Sequence, residues 1–214
     1  LAVAIAAEWQ VVQLPSGAFI VYDMVVALPA AVLFTPAAGA ILAALGALSL
    51  PIIRMLRHEH RRSLLVTLFS AAQFYLGYLL AGSVYHALIP RPGGFWPTIG
   101  GYLLALLIFK AVNSLLVDQV YNRLRGVYSR ERFVSTLLTE GAIHLLTAPA
   151  ALLMILTYPT HGLYGVLLSF APVLRIAERL DESEPGDLAA FIRFATTLGE
   201  ASVDWLVYAM SECQ

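Results

Sequence analysis

The chain contains a single lysine, and it lies inside an apolar run. Lys110 sits roughly two helical turns in from the polar end of the stretch Gly100 to Asp118, too deep for its side chain to reach water beyond the helix end. Its ammonium therefore needs a counter-charge or a polar cavity. Glu140 answers that need by depth. Lys110 lies about eight residues, ~12 Å, from Asp118, and Glu140 about seven residues from Phe133 on the next, oppositely running stretch. Asn113 follows Lys110 by three positions and His144 follows Glu140 by four, so each shares a helix face with its neighbour. Gln73, about ten residues into an earlier apolar run, reaches the same level. Asp23 and Glu8 stand near the ends of the first runs, where they can join the layer.

Several kinds of chemistry are open to this set. Lys110 and Glu140 can form a structural ion pair that fixes helix packing, since charges inside a membrane commonly pair. With Asn113, His144, Gln73 and Asp23 they can instead line a pocket for a polar ligand or an ion. Glu140 and His144 have the spacing of two metal ligands on one helix, but no third donor is evident at that depth, so no metal site is expected. A retinal-type Schiff base on Lys110 would put the lysine on the fifth of seven helices. The ion pair is the leading expectation, and the sequence identifies no cofactor. His58, His60, His86 and His161 fall at loops or helix ends, where solvation rather than catalysis is expected. No Gly-x-Ser-x-Gly, glycine-rich phosphate loop or His-Glu-x-x-His occurs, so the expectation is a protein that is not an enzyme.

The elements that must position these groups follow from composition. Hydrophobic residues make up 59% of the chain and charged residues 13%, with a mean hydropathy of +0.77. Ordinary soluble domains carry about twice that charge, so the chain reads as an all-α, polytopic transmembrane bundle of six to seven spans. A net charge of −1 excludes nucleic acid as a partner, because phosphate binding needs a basic surplus. Cys213 is the only cysteine, so neither an intrachain disulfide nor a cysteine metal cluster is possible.

Leu1 to Ala7 reads as the end of a first span. In Val11 to Phe19, Leu14-Pro15-Ser16-Gly17 breaks any helix and predicts a re-entrant or unwound segment. A second span is expected from about Ile20 to Phe34 and, after a tight corner at Thr35-Pro36, a third to about Ile53. Gly39 and Gly46, seven apart among many alanines, put small residues on one face of the third span and predict a closely packed hairpin with the second. The fourth span covers Ser63 to about Leu88, and a connection through Trp96 leads to the fifth, which carries Lys110. The sixth covers about Phe133 to Leu156, and a shorter seventh about Leu163 to Leu174.

Arginines number four, one, four and none in the successive loops 54–62, 89–96, 122–132 and 157–162, with two more behind the last span. That alternation places the basic loops and the C-terminus in the cytoplasm and the other two loops outside. The bundle is thus assigned to residues 1–180, and residues 181–214 to a cytoplasmic acidic turn and helix. In that helix Phe191, Leu198, Trp205 and Leu206 fall within about a third of the wheel, opposite Arg193, Glu200 and Asp204. One arginine against two acids suits contact with a partner protein better than an anionic membrane surface.

The order of short motifs resembles the membrane-embedded N-terminal sensory regions that bacteria place ahead of HD-GYP phosphohydrolase or diguanylate cyclase domains. The matching pieces are Leu14-Pro-Ser-Gly17, Thr35-Pro-Ala-Ala-Gly39, the arginine-rich loop, Phe69-Ser-Ala-Ala-Gln73 and Ala81-Gly82-Ser-Val-Tyr85. Val112-Asn-Ser-Leu-Leu116, Ala148-Pro-Ala-Ala-Leu-Leu153 and Leu168-Ser-Phe-Ala-Pro172 complete the series. The resemblance implies a bacterial inner-membrane location and a catalytic output domain after the last span. The amphipathic helix stands there instead, so the expectation is either a piece separated from its output domain or a relative that works by contacting another protein. The chain is also similar to the substrate-binding subunits of energy-coupling-factor vitamin transporters, which implies small-molecule capture. The leading expectation is a non-enzymatic sensing or scaffolding module in the lipid bilayer, docked to a partner through its C-terminal helix, with a small-molecule-binding transporter subunit as the alternative.

Overall fold

The computed structural model describes residues 12–13, 19–20, 24–56, 64–89 and 94–117, and part of 123–164, of which 148–162 is continuous. Glu8, Asp23, Glu140 and the C-terminal residues Phe191, Leu198, Trp205 and Leu206 lie outside the described residues, as do Leu14 to Gly17 and most of the seventh span.

Two short strands, β1 (Val12–Gln13) and β2 (Phe19–Ile20), pair antiparallel with Val12 opposite Ile20 and Gln13 opposite Phe19. Within Val11 to Phe19, where the sequence predicts a re-entrant or unwound segment, the described residues are extended rather than helical, and their backbone groups pair in this ladder. The remaining described elements are helical. α1 (Met24–Leu33) begins four residues later than the sequence predicts, because Ile20 is in the strand. Its ten residues rise only ~15 Å, half the hydrocarbon thickness. Val25, Ala27, Leu28, Ala31 and Val32 are all buried, as suits a helix apolar on every side.

At the corner, Thr35 caps α2 (Pro36–Leu56). Its Oγ1 accepts from the Ala38 N–H at 3.1 Å and its carbonyl from the Gly39 N–H at 3.3 Å, while Pro36 takes the first helical position, where no N–H is needed. Thr35→Ala is expected to cost about 1 kcal/mol, read as a lowered denaturation midpoint in detergent. α2 continues past Ile53 through Arg54, where a loop was expected, since nothing in Ile52-Ile53-Arg54-Met55-Leu56 breaks a helix and a cation suits its C-terminal turn. Gly39, Ala40, Ala43, Gly46 and Ala47 are buried along one side of α2. A methyl added at Gly39 would lie 2.6 Å from both the Ala27 carbonyl oxygen and the Ala31 nitrogen, so the predicted hairpin is in backbone contact there.

α3 (Leu64–Leu88) and α4 (Phe95–Ser114, continuing as a wider π turn to Val117) are both long and apolar enough to cross a membrane. The start of α4 corrects the sequence reading, which left Phe95 and Trp96 in a connection. Pro97 is tolerated because the first N–H groups of a helix have no intrahelical acceptor. A last continuous helix, α5 (148–162), runs through Thr157-Tyr158-Pro159-Thr160-His161, where an external loop was expected. Thr157 Oγ1 donates to the Leu153 carbonyl at 2.8 Å and Thr160 Oγ1 to that of Thr157 at 3.0 Å. These bonds occupy carbonyls around a proline that cannot donate. The left-handed φ of 56° at Gly162 suits a helix end.

The helices alternate in direction. His86 Nε2 lies 2.9 Å from the Ala31 carbonyl, Gly82 faces Pro36, and the Phe34 and Tyr158 rings meet edge to face at 5.1 Å. The 34–36 corner, the C-terminal ends of α3 and α5 and, through a hydrogen bond of Tyr85 to Thr98, the start of α4 thus share one end of the bundle. Arg123 and Arg130, both exposed, follow the opposite end of α4.

Candidate functional site

α3 and α4 pack antiparallel in a constant register. A methyl at Gly101 would meet the Tyr85 ring at 3.0 Å, one at Gly77 the Phe109 ring at 3.0 Å, and Gln73 Nε2 donates to Asn113 Oδ1. Each step of about one or two turns along one helix is matched by the same step back along the other. Glycines at 77 and 101 let large rings lie against backbone, which brings the axes close enough for the shorter Gln73 and Asn113 side chains to touch.

Above that hydrogen bond lies an aromatic plug. Tyr78 and Phe109 stack with centroids 4.3 Å apart, Phe74 lies 6.3 Å from Phe109, and the His144 ring meets Phe109 edge to face at 6.3 Å. Tyr78 and Phe109 are essentially inaccessible, at 0% and 1% exposure. Lys110, beside Phe109 on α4, is only 6% exposed. The lysine is therefore withdrawn from water as the sequence requires, and residues on three helical segments converge on its level.

Of the residues singled out in sequence, Lys110, Asn113, Gln73 and His144 are brought together around this level. Gln73 pairs with Asn113, one turn toward the arginine-bearing end from Lys110, rather than standing level with the lysine itself. Glu140 and Asp23 fall outside the described residues, so the ion pair, and the metal reading that needs Glu140, rest on sequence. Among the described residues no group of three His, Cys, Asp or Glu side chains gathers as metal ligands.

Two further polar residues belong here that spacing did not single out. Thr67 and Ser114 are buried, at 6% and 5% exposure, on the arginine-side halves of α3 and α4. Ser114 adjoins Asn113 in sequence, and Thr67 precedes Ala71, Phe74 and Tyr78 on the inward face of α3, a period legible in retrospect. His86 is half-buried, and it bonds a carbonyl at the end of α1 that has no partner within the helix. The expectation that it is merely solvated is corrected. At the other end, Tyr85, Thr98 and the Gly94 carbonyl form a second polar chain, with Thr98 Oγ1 donating to Gly94 at 2.8 Å.

Chemically, the central group offers an ammonium, an imidazole, two carboxamides and two hydroxyls in apolar surroundings, where hydrogen bonds and charge interactions are stronger than in water. Such a set can hold helices in one register or hold a small polar guest. No protein-family model matches the chain, and no curated protein or solved structure is significantly similar to it.

Proposed function

We propose that the chain is a non-enzymatic, multi-pass membrane module of six to seven spans that serves as a sensing scaffold. Its basic loops and C-terminus face the cytoplasm of a bacterial cell, and the amphipathic helix after Asp187 docks a partner protein. The observation that carries this reading is the Gln73–Asn113 bond between two membrane-length helices, set beside a buried ammonium. Polar pairs inside an apolar bundle fix one packing arrangement among many of similar energy, which is what a scaffold needs to transmit a change from one end to the other. The arginine alternation supports the orientation.

The packing of the arginine-poor end favours this reading over capture of a small molecule from outside. Leu28, Ala40, Tyr78, Ala81, Tyr102, Ala105 and Phe109 are 0–1% exposed and belong to one cluster. Small and aromatic side chains, with Leu28 among them, pack against one another there.

Purification from native membranes tests the proposal. The full chain is expected to elute with a stoichiometric partner, and the variant with Phe191, Leu198, Trp205 and Leu206 all replaced by Ser is expected to lose it while remaining folded. A lone monomer in both mild detergent and lipid discs would refute the scaffold. A small molecule copurifying in place of a protein would favour the transporter-subunit reading.

A further inference from the structure

The exposed surface of the helices changes chemistry along their length. On α4 the exposed positions after Trp96 are Pro97, Gly100, Leu104, Leu107, Ala111 and Leu115, and none carries a polar side chain. On α3, Ser83 is the single polar residue among the exposed positions from Leu64 to Leu88. Toward the arginine-bearing end this surface gives way to exposed Arg123, Ser129, Arg130 and Glu131. Toward the other end it gives way to rings, interspersed with exposed Thr35, Thr160 and His161. Trp96 is 77% exposed, and Phe34 and Tyr164 are each more than half exposed.

These rings come from three separate elements that meet at one end. Phe34 lies in the corner after α1 and touches half-buried Tyr158 of α5, while Tyr164 lies two residues beyond α5. Trp96 stands two residues before Thr98, which Tyr85 of α3 bonds. Phe95 meets the Trp96 indole edge to face at 5.2 Å, and among the described residues the indole N–H finds no acceptor. A ring with an apolar body and a polar tip suits the boundary between hydrocarbon and water. The spacing agrees: at ~1.5 Å per residue, Trp96 and Leu115 are ~28 Å apart along α4, against ~30 Å of bilayer hydrocarbon. A partner protein would cover one face of the bundle, whereas here the change falls at one level on all three elements.

We propose that Phe34, Trp96, Tyr158 and Tyr164 form a contact ring for lipid headgroups at the arginine-poor end of the bundle. The Trp96 N–H donates to ester carbonyls or water of that layer, and acyl chains cover α4 from there to Leu115. The proposal rests on the membrane-module reading above and adds to it the lipid surface and its level. On that scale Lys110 lies ~8 Å inside the opposite boundary of the hydrocarbon.

Depth-dependent fluorescence quenching of the full chain in phosphatidylcholine vesicles tests it. Trp9→Phe with Trp205→Phe leaves Trp96 as the reporter. A second protein adds Trp96→Phe and Leu107→Trp, at an exposed position ~17 Å along α4 from Trp96 and so near the bilayer centre. The lipids carry bromines either close to the headgroup or close to the ends of the acyl chains. Trp96 is expected to lose the larger part of its emission to the shallow bromines and little to the deep ones, and Leu107→Trp the reverse. Should the doubly replaced protein not elute as a single species, the difference in quenching between the unaltered protein and its Trp96→Phe variant gives the same reading. The ring is overturned if Trp96 responds most to the deep bromines, or to neither set while Leu107→Trp responds. If neither tryptophan responds to either lipid, the membrane-module reading fails and takes the ring with it.

Discussion

Lys110→Met is expected to destabilise the protein by about 3–5 kcal/mol, measured as the shift in unfolding free energy in detergent micelles. The lysine is 6% exposed, so solvent cannot screen its charge or take over its partner's. The sequence offers Glu140 as the counter-charge, and removing the ammonium would leave that carboxylate buried and alone. Combining Lys110→Met with Glu140→Gln is therefore expected to restore most of the loss, because a neutral pair in apolar surroundings avoids the desolvation that two charges must overcome. The distinguishing quantity is the coupling between the two changes. Equal losses in the single and double variants would show that Lys110 depends on a different group, and the inferred core of the layer would have to be redrawn.

The second large effect is steric. Gly39→Ala adds a methyl that would lie 2.6 Å from the Ala27 carbonyl oxygen and the Ala31 nitrogen, and closer still to the Ala31 methyl. Two of those three contacts are backbone, which cannot rotate aside, so α1 and α2 must separate. A loss at the upper end of the ~1–3 kcal/mol typical of overpacking is expected. Gly100 is the matched control, since a methyl there meets nothing within 4 Å. Gly100→Ala, at a helical and exposed position, is expected to gain ~0.5–1 kcal/mol by restricting the unfolded chain. Melting temperatures of the two variants should therefore move in opposite directions. Similar small shifts in both would mean that α1 does not rest on the glycine face of α2.

Much of the candidate site was legible in the chain. A lone lysine in an apolar run announces a buried charge whatever surrounds it, and counting residues from the helix ends brought Gln73 and Asn113 to within one turn of their observed relation. The small-residue face of α2 could be read for the same reason, because alanine and glycine repeated at helical spacing have few uses other than close approach. Thr67 and Ser114 escaped notice since a hydroxyl residue in an apolar helix can bond its own backbone and needs no layer to explain it. Element ends were the weakest reading. The connection expected through Trp96 and the loop expected over 157–162 both proved helical; Pro97 lies in a first turn whose N–H groups need no intrahelical acceptor, and Pro159 lies in the last turn of α5.

By itself the sequence determined the apolar character of its elements: 13% of its residues are charged, and two described helices are long and apolar enough to cross a membrane. It also determined which residues could not be left alone in apolar surroundings, because the cost of burying a charge or an amide depends on the group rather than on the fold. The tertiary structure alone decided which partner each group meets. That choice turns on where glycine lets two helix axes approach, at Gly39, Gly77, Gly82 and Gly101, and a separation of helix axes is not encoded at any single position. The same close approaches seat the Phe109 ring against Gly77 and beside Tyr78, a contact that no hydropathy profile records.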